Sequence, residues 1–116
     1  MELSVYVDGS GGDNAGYGYF VKETGESFYE KRPGITNNQA EYLAIISALE
    51  RLGKDHIITI YSDSKNTVSQ LNHEFAINSE ALRDLARKAW SLMGNKPVNL
   101  VWIPRAQNLA GKMLGS

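Results

Sequence analysis

The chain has 116 residues, of which 42% are hydrophobic, and this suits one domain with a modest core. The absence of cysteine excludes disulfide bonds and thiolate metal sites, and it favours a reducing compartment such as the cytoplasm. The net charge is −1, so the chain is not one of the strongly basic proteins that bind nucleic acid through their overall charge.

The first third of the chain predicts three antiparallel strands. Residues 3–7 alternate between apolar and polar side chains, which is the period of a strand with one buried face. A glycine-rich segment at 9–16 follows, and further strands are predicted at Tyr17–Val21 and Ser27–Lys31. Turn residues separate these strands, so the segment is expected to fold as a meander.

The rest of the chain alternates helices with strands. The clearest helix is predicted at Thr36–Leu52, and two others at about Ser64–Leu71 and Ser79–Met93. Strands are predicted at Ile57–Tyr61 and Val98–Ile103, and the remaining segment has room for only a short helix. The order βββαβααβ predicts an α/β fold with a mixed sheet whose last strands run parallel. No apolar run is long enough to span a membrane, so we expect no membrane association.

Two aspartates stand at the carboxyl ends of predicted strands. Asp8 ends the first strand and Asp63 the fourth. If those strands are parallel neighbours, the aspartates share the edge at which α/β sheets place their chemistry. Each also has a plainer interpretation, because Asp8 begins a common Asp-Gly turn dipeptide and Asp63 could cap the helix that follows it.

Glu41 lies on the apolar side of the long helix. Helical periodicity places it on the same face as Ile45, Ala48, Leu49 and Leu52, the stripe expected to pack on the sheet. Burial of an unpaired carboxylate is unfavourable, so Glu41 indicates a cation or a partner there unless its side chain bends out to solvent. If Glu41 joins the two aspartates, this all-oxygen set favours Mg²⁺ or Mn²⁺.

Four short sequence blocks span nearly the whole chain. They are VYVDGS at 5–10, TNNQAEYLAI at 36–45, YSDS at 61–64 and VWIPRAQN at 101–108. Together they resemble the blocks of the type 1 ribonuclease H family, particularly its short form without a hybrid-binding domain, basic protrusion or histidine loop. The resemblance implies a single ribonuclease H-like catalytic domain over residues 1–116, with a five-stranded mixed sheet flanked by helices.

The resemblance also implies an activity, the endonucleolytic cleavage of the RNA strand of RNA–DNA hybrids. The family uses two-metal-ion hydrolysis with Mg²⁺ or Mn²⁺, which leaves a 5′-phosphate and a 3′-hydroxyl. Asp8, Glu41 and Asp63 match three of the family's four metal-binding, catalytic carboxylates, and Asp8 is expected to bridge both ions. We expect a monomer.

A substrate-binding surface follows from the same resemblance. Asn14 and Thr36 match positions that hold a phosphate of the DNA strand. The next segment matches one that contacts the minor groove, where amide groups can donate and accept without reading a unique sequence. It consists of Asn37, Asn38 and Gln39. Further positions assigned to substrate binding are Gly9, Ser10 and Arg105.

The C-terminal segment departs from the family pattern. The fourth family carboxylate follows the asparagine of the PRxxN motif by four residues, and this chain has Lys112 there. A cation cannot bind a metal ion, so Asn108 is predicted to act as a catalytic residue and metal ligand through its amide oxygen if the segment is shifted. The other interpretation makes Asn108 the N-cap of this segment.

Two other functional classes stay open. The first is an RNA–DNA hybrid-binding module that lost catalysis through Lys112, although such a module would have no chemical need for the three remaining carboxylates. The second is a carboxylate-metal nuclease of related fold that acts on DNA junctions, and the TNNQAE block disfavours it.

Overall fold

A five-stranded mixed sheet organises the protein. The structure is a computed structural model, and it describes residues 2–52, 57–94 and 96–113. The strands are β1 Glu2–Ser10, β2 Gly16–Val21, β3 Ser27–Lys31, β4 Ile57–Ser62 and β5 Val98–Trp102. They lie in the order β3-β2-β1-β4-β5. The pairs β3-β2 and β2-β1 are antiparallel, whereas β1-β4 and β4-β5 are parallel.

Helices connect the strands and cover the sheet. They are α1 Asn37–Leu52, α2 Lys65–Leu71, α3 Glu80–Met93 and α4 Leu109–Met113, with a 3₁₀ turn at Arg105–Gln107 before α4. The predicted α/β fold, the element order and the parallel pairing of the last strands are confirmed, whereas the 3₁₀ turn was not predicted. Across the described ranges, no helix combines the length and apolar character needed to cross a bilayer.

Ser64 is the N-cap of α2, and this decides between the two interpretations of Asp63. The Ser64 Oγ accepts a hydrogen bond from the Thr67 N–H at 3.4 Å, as an N-cap side chain does. The helix-cap interpretation of Asp63 was therefore wrong, because the residue after it takes that position. Asp63 lies directly after β4, where its carboxylate is available for another role.

The core lies between the sheet and α1. Val5 and Val7 of β1 and Ile60 of β4 are fully buried, and they share one cluster with Ile45 and Leu49 of α1. Each such side chain stabilises the fold by roughly 1.5–3 kcal/mol relative to an exposed one. α3 packs against α1 in turn, so α1 is enclosed between two layers and its position relative to the strands is fixed.

The start of α1 lies directly against the end of β1. A Cβ atom on Gly9 would lie 2.6 Å from the backbone carbon and oxygen of Ala40, which no side chain tolerates without movement. At Gly11 the backbone N–H donates to Asn37 Oδ1 at 2.5 Å. These glycines permit the close approach that brings Glu41, the residue after Ala40, to the end of β1.

We expect Gly9→Ala to lower the free energy of unfolding by about 1–3 kcal/mol, because its methyl group would force α1 away from β1. Urea denaturation measures the change. Ser10→Ala is the control, since its exposed neighbouring side chain should matter by no more than about 0.5 kcal/mol. Equal midpoints for Gly9→Ala and the wild type would contradict the close packing.

Candidate active site

Three carboxylates meet at the carboxyl end of the central strands. Asp8 lies near the end of β1, Asp63 follows β4, and Glu41 reaches the same point from α1. One oxygen from each lies within 4.8 Å of the others, so the predicted convergence is present. Because β1 and β4 are parallel neighbours, their carboxyl ends share one edge of the sheet.

Glu41 is the most buried member of this cluster. Its side chain is 7% exposed, so it points inward as the helical periodicity predicts and does not bend out to solvent. Burial, followed by the nearby charges of Asp8 and Asp63, raises its pKa from the ordinary 4.5 to about 8. Hydrogen bonds from the Gly9 N–H and the Ser62 hydroxyl oppose the increase in pKa.

Ser62 is a site residue that the sequence reasoning missed. Its side chain is fully buried, and its Oγ donates to Glu41 Oε2 at 3.5 Å while accepting from the Ser64 N–H at 3.1 Å. It thus joins the carboxylate of Glu41 to the start of α2. The available signal was a serine on the buried face of a strand, directly before an aspartate. A serine in that place is usually only a small core residue, so the signal was weak.

A cleft of about 290 Å³ opens beside the carboxylates. Its lining residues come from the ends of β1 and β4, the 3₁₀ turn and α4. They are Asp8, Gly9, Ser10, Asp63, Arg105, Asn108 and Gly111. The structure therefore gathers three predicted substrate-binding positions, Gly9, Ser10 and Arg105, along one cavity with two of the carboxylates. Arg105 is exposed and contributes positive charge to a wall that is otherwise acidic or neutral.

Asn108 is buried at the floor of the cleft and is 1% exposed. Its Nδ2 donates to the Val7 carbonyl oxygen at 2.9 Å and to Asp63 Oδ2 at 3.1 Å. Its Oδ1 accepts from the Ala110 N–H at 3.0 Å, so the predicted capping of the C-terminal helix is confirmed. Its role as a metal ligand stays a prediction. The side chain of Lys112 lies outside the described residues.

The amide-rich segment forms the start of α1. Thr36 and Gln39 make a reciprocal pair, in which the Gln39 N–H donates to Thr36 Oγ1 at 3.1 Å and the Thr36 N–H donates to Gln39 Oε1 at 2.9 Å. The oxygens of Asn37 and Gln39 are therefore engaged within the protein, and their amide nitrogens are the atoms available to a ligand. Asn38 is exposed to solvent in the first turn of the helix.

The glycine-rich segment lies beside this helix start. The Gly12 N–H donates to the Ile35 carbonyl oxygen at 2.9 Å, and the Gly34 N–H donates to the Gly12 carbonyl oxygen at 3.0 Å. Asn14 and Thr36 are both exposed, and each lies on one of the two segments that these bonds join. The structure thus places the two predicted phosphate-binding positions on adjoining loops.

Comparison with protein families identifies one that covers most of the chain. The family described as RNase H matches residues 1–110. Ribonuclease H of Lachnoclostridium phytofermentans is 32% identical over 112 residues, which cover 87% of this chain and 67% of that protein. Ribonuclease H of Chlorobaculum parvum is 31% identical over 105 residues, which cover 83% of this chain and 65% of that protein.

Solved structures share the same fold. RNase H1 from the halophilic archaeon Halobacterium salinarum matches with a TM-score of 0.87 at 27% identity, covering 98% of this chain and 94% of that one. LC11-RNase H1, solved in complex with an RNA/DNA hybrid, matches with a TM-score of 0.85 at 24% identity, covering 97% and 92% respectively. The predicted five-stranded architecture is therefore confirmed by both structures.

The raised pKa of Glu41 predicts how stability depends on pH in the metal-free protein. Unfolded Glu41 ionises near pH 4.5 and the folded form only near pH 8, so its contribution to stability is complete below pH 4.5 and is lost as the pH rises through 8. We expect Glu41→Gln to remove this loss and to be more stable than the wild type at pH 8 by roughly 3–5 kcal/mol.

Urea denaturation between pH 4.5 and 8.5 in the presence of EDTA measures both curves. Glu50→Gln is the matched control, because it removes a carboxylate from an exposed position on the same helix. If the free energy of unfolding of Glu41→Gln and of the wild type falls equally as the pH rises, ionisation of buried Glu41 does not destabilise the fold as inferred.

Proposed function

Because the chain belongs to the ribonuclease H family, we propose that it hydrolyses the RNA strand of RNA–DNA hybrids. The observation that carries this proposal is the convergence of Asp8, Glu41 and Asp63 at one edge of the sheet. The cleft beside the carboxylates would receive the strand to be cut, and the amide groups at the start of α1 would contact the duplex. LC11-RNase H1, which shares the fold, was solved in complex with an RNA/DNA hybrid, and this supports a hybrid as the substrate.

The donor set fits a divalent cation with oxygen ligands. Asp8, Glu41 and Asp63 offer carboxylate oxygens in one cluster, which are the ligands that Mg²⁺ and Mn²⁺ prefer. Bound there, such ions would activate water for in-line attack and stabilise the leaving 3′ oxygen. A ligand role for Asn108 stays a prediction from the sequence, and it would require the amide oxygen, which here accepts from the Ala110 N–H.

Glu41 has a distinct part in this scheme because of its burial. With its pKa near 8, it holds a proton at neutral pH in the metal-free protein. That proton must leave before the carboxylate can bind a cation, so metal binding should release a proton. The Gly9 N–H and the Ser62 hydroxyl hold the carboxylate in place in either state.

The start of α1 is suited to the minor groove of a hybrid. The amide nitrogens of Asn37 and Gln39 are donors, and the base edges in a minor groove are mainly acceptors. The 2′-hydroxyls of the RNA strand, which accept as well as donate, distinguish it from the DNA strand. These contacts would orient the RNA strand towards the carboxylates without selecting a sequence.

Phosphate contacts would hold the duplex in register. The Thr36 hydroxyl accepts from the Gln39 N–H and keeps its own proton to donate to a phosphate oxygen of the DNA strand. Asn14 is exposed on the adjoining loop and would donate to the same phosphate. Arg105, at the cleft, supplies a guanidinium near the RNA phosphates in a protein whose overall charge is slightly negative.

We expect the protein to cut the RNA strand of a labelled hybrid in Mg²⁺ or Mn²⁺, leaving 5′-phosphate and 3′-hydroxyl ends, and to spare duplex DNA and duplex RNA. EDTA and Asp63→Asn should each abolish cleavage, because both disable the carboxylate cluster. Gel electrophoresis of the three substrates tests this. Equal cutting of hybrid and duplex DNA would refute the proposed substrate, and tight binding without cleavage would support the binding-module alternative.

Thr36→Ala should raise KM for the hybrid by about 3–10-fold with little change in kcat, since a phosphate contact made equally in ground and transition states supplies uniform binding. Thr36→Ser, which retains the hydroxyl, should behave as the wild type. Ser79→Ala removes the N-cap of the distant α3 and so controls for the loss of a helix cap. A fall in kcat at unchanged KM would contradict the phosphate role.

A further inference from the structure

Asn108 links two of the candidate catalytic segments. Its amide nitrogen donates both to the Val7 carbonyl oxygen, the last backbone acceptor before Asp8, and to the Asp63 carboxylate. These partners lie 101 and 45 residues away in sequence. A single buried side chain therefore contacts both Val7 in β1 and Asp63, the residue after β4.

The third hydrogen bond fixes which way the amide points. Because Asn108 Oδ1 accepts from the Ala110 N–H, the Nδ2 group must face the opposite side, where both partners are oxygens. An inverted amide would oppose oxygen to oxygen at Val7 and Asp63 and would leave the Ala110 N–H facing a donor. The nitrogen, not the oxygen, is thus directed at the carboxylate.

The hydrogen bonds of Asn108 lie just beyond the end of the β1-β4 pairing. The parallel pairing of β1 with β4 ends at Tyr6 and Tyr61, so backbone hydrogen bonds no longer hold the two strands together at the aspartates. Asn108 joins the two segments just beyond this point, through Val7 and Asp63. It also donates to Asp63 Oδ2 and so restrains the orientation of that carboxylate.

We propose that Asn108 is a positioning residue that orients the Asp63 carboxylate by hydrogen-bond donation while its oxygen caps α4. The proposal rests on the proposed function for its catalytic consequence, and it assigns to the asparagine a role other than metal ligand. Mutation of a residue that orients a metal ligand typically lowers activity or metal affinity by about 10–100-fold, and we expect a loss of this size for Asn108.

Two substitutions separate donation from the other two roles. Asn108→Ser keeps an oxygen that can cap α4 but has no amide nitrogen to reach Val7 and Asp63. Asn108→Asp also keeps a capping oxygen, and it places a fourth carboxylate beside Asp63. We expect both variants to lose about 10–100-fold in kcat on the hybrid in Mg²⁺, with KM changed less than about threefold.

Other results would overturn the proposal. Wild-type kcat in Asn108→Ser would reduce Asn108 to a helix cap, and unchanged or increased kcat in Asn108→Asp would instead support a metal ligand. Gln107→Ala, at an exposed neighbouring amide, is the matched control and should stay within about twofold of the wild type. Should Asn108→Ser fail to show a cooperative thermal transition, Asn108→Asp carries the kcat comparison.

Calorimetry of Mn²⁺ binding distinguishes failure of this proposal from failure of the proposed function. It needs no turnover, so it applies even if the wild-type protein does not cleave hybrids. We expect Asn108→Ser to bind Mn²⁺ about tenfold more weakly than both the wild type and Gln107→Ala. Equal affinity in all three proteins would overturn the positioning role.

Discussion

The fold must hold three carboxylates close together, although burial and mutual repulsion of their charges make this arrangement unfavourable. Glu41 is buried next to Asp8 and Asp63, and burial together with their charges keeps its pKa near 8. Ionisation of all three carboxylates would destabilise the cluster, since like charges at this distance disfavour one another. A fold that keeps them together must resist that repulsion, and the cation that the cluster would bind is what makes the arrangement useful.

Several contacts hold the three carboxylates in place. The enclosed position of α1 between the sheet and α3 prevents Glu41 from withdrawing, because movement of the helix would disturb the core. Gly9 allows the helix to approach β1, Ser62 and the Gly9 N–H bind the Glu41 carboxylate, and Asn108 binds Asp63. In addition, the Trp102 indole donates to the Asp63 carbonyl oxygen at 3.2 Å and ties β5 to the same point.

The proposed substrate is a polyanion, whereas the overall charge of the protein is slightly negative. The chain has a net charge of −1, so long-range attraction cannot account for binding to a polyanion. The proposed hybrid-binding surface offers local donor groups instead, namely the amide nitrogens of Asn37 and Gln39, the hydroxyl of Thr36 and the guanidinium of Arg105. Internal hydrogen bonds engage the oxygens of both amides, which leaves their nitrogens as the donors for a ligand.

The sequence by itself determined the strands and the three longer helices, because strand and helix periodicity depends on residues close to one another. Each of the three acidic residues kept a plainer local interpretation, and their shared role followed from the resemblance to ribonuclease H. Alternation predicted β1, helical spacing predicted the inward direction of Glu41, and strand ends predicted Asp8 and Asp63. It did not determine that Ser64, and not Asp63, caps α2, since both residues are good caps and only the backbone geometry selects between them.

Only the tertiary structure decided what Asn108 contacts. Its capping bond to Ala110 is local and was foreseen as an alternative, but the orientation of its amide depends on acceptors 101 and 45 residues away. The hydrogen bond of Ser62 to Glu41 likewise joins residues 21 positions apart. No local pattern encodes such pairs, because they arise only when the sheet and α1 have packed and have brought distant polar atoms into a buried space where each must find a partner.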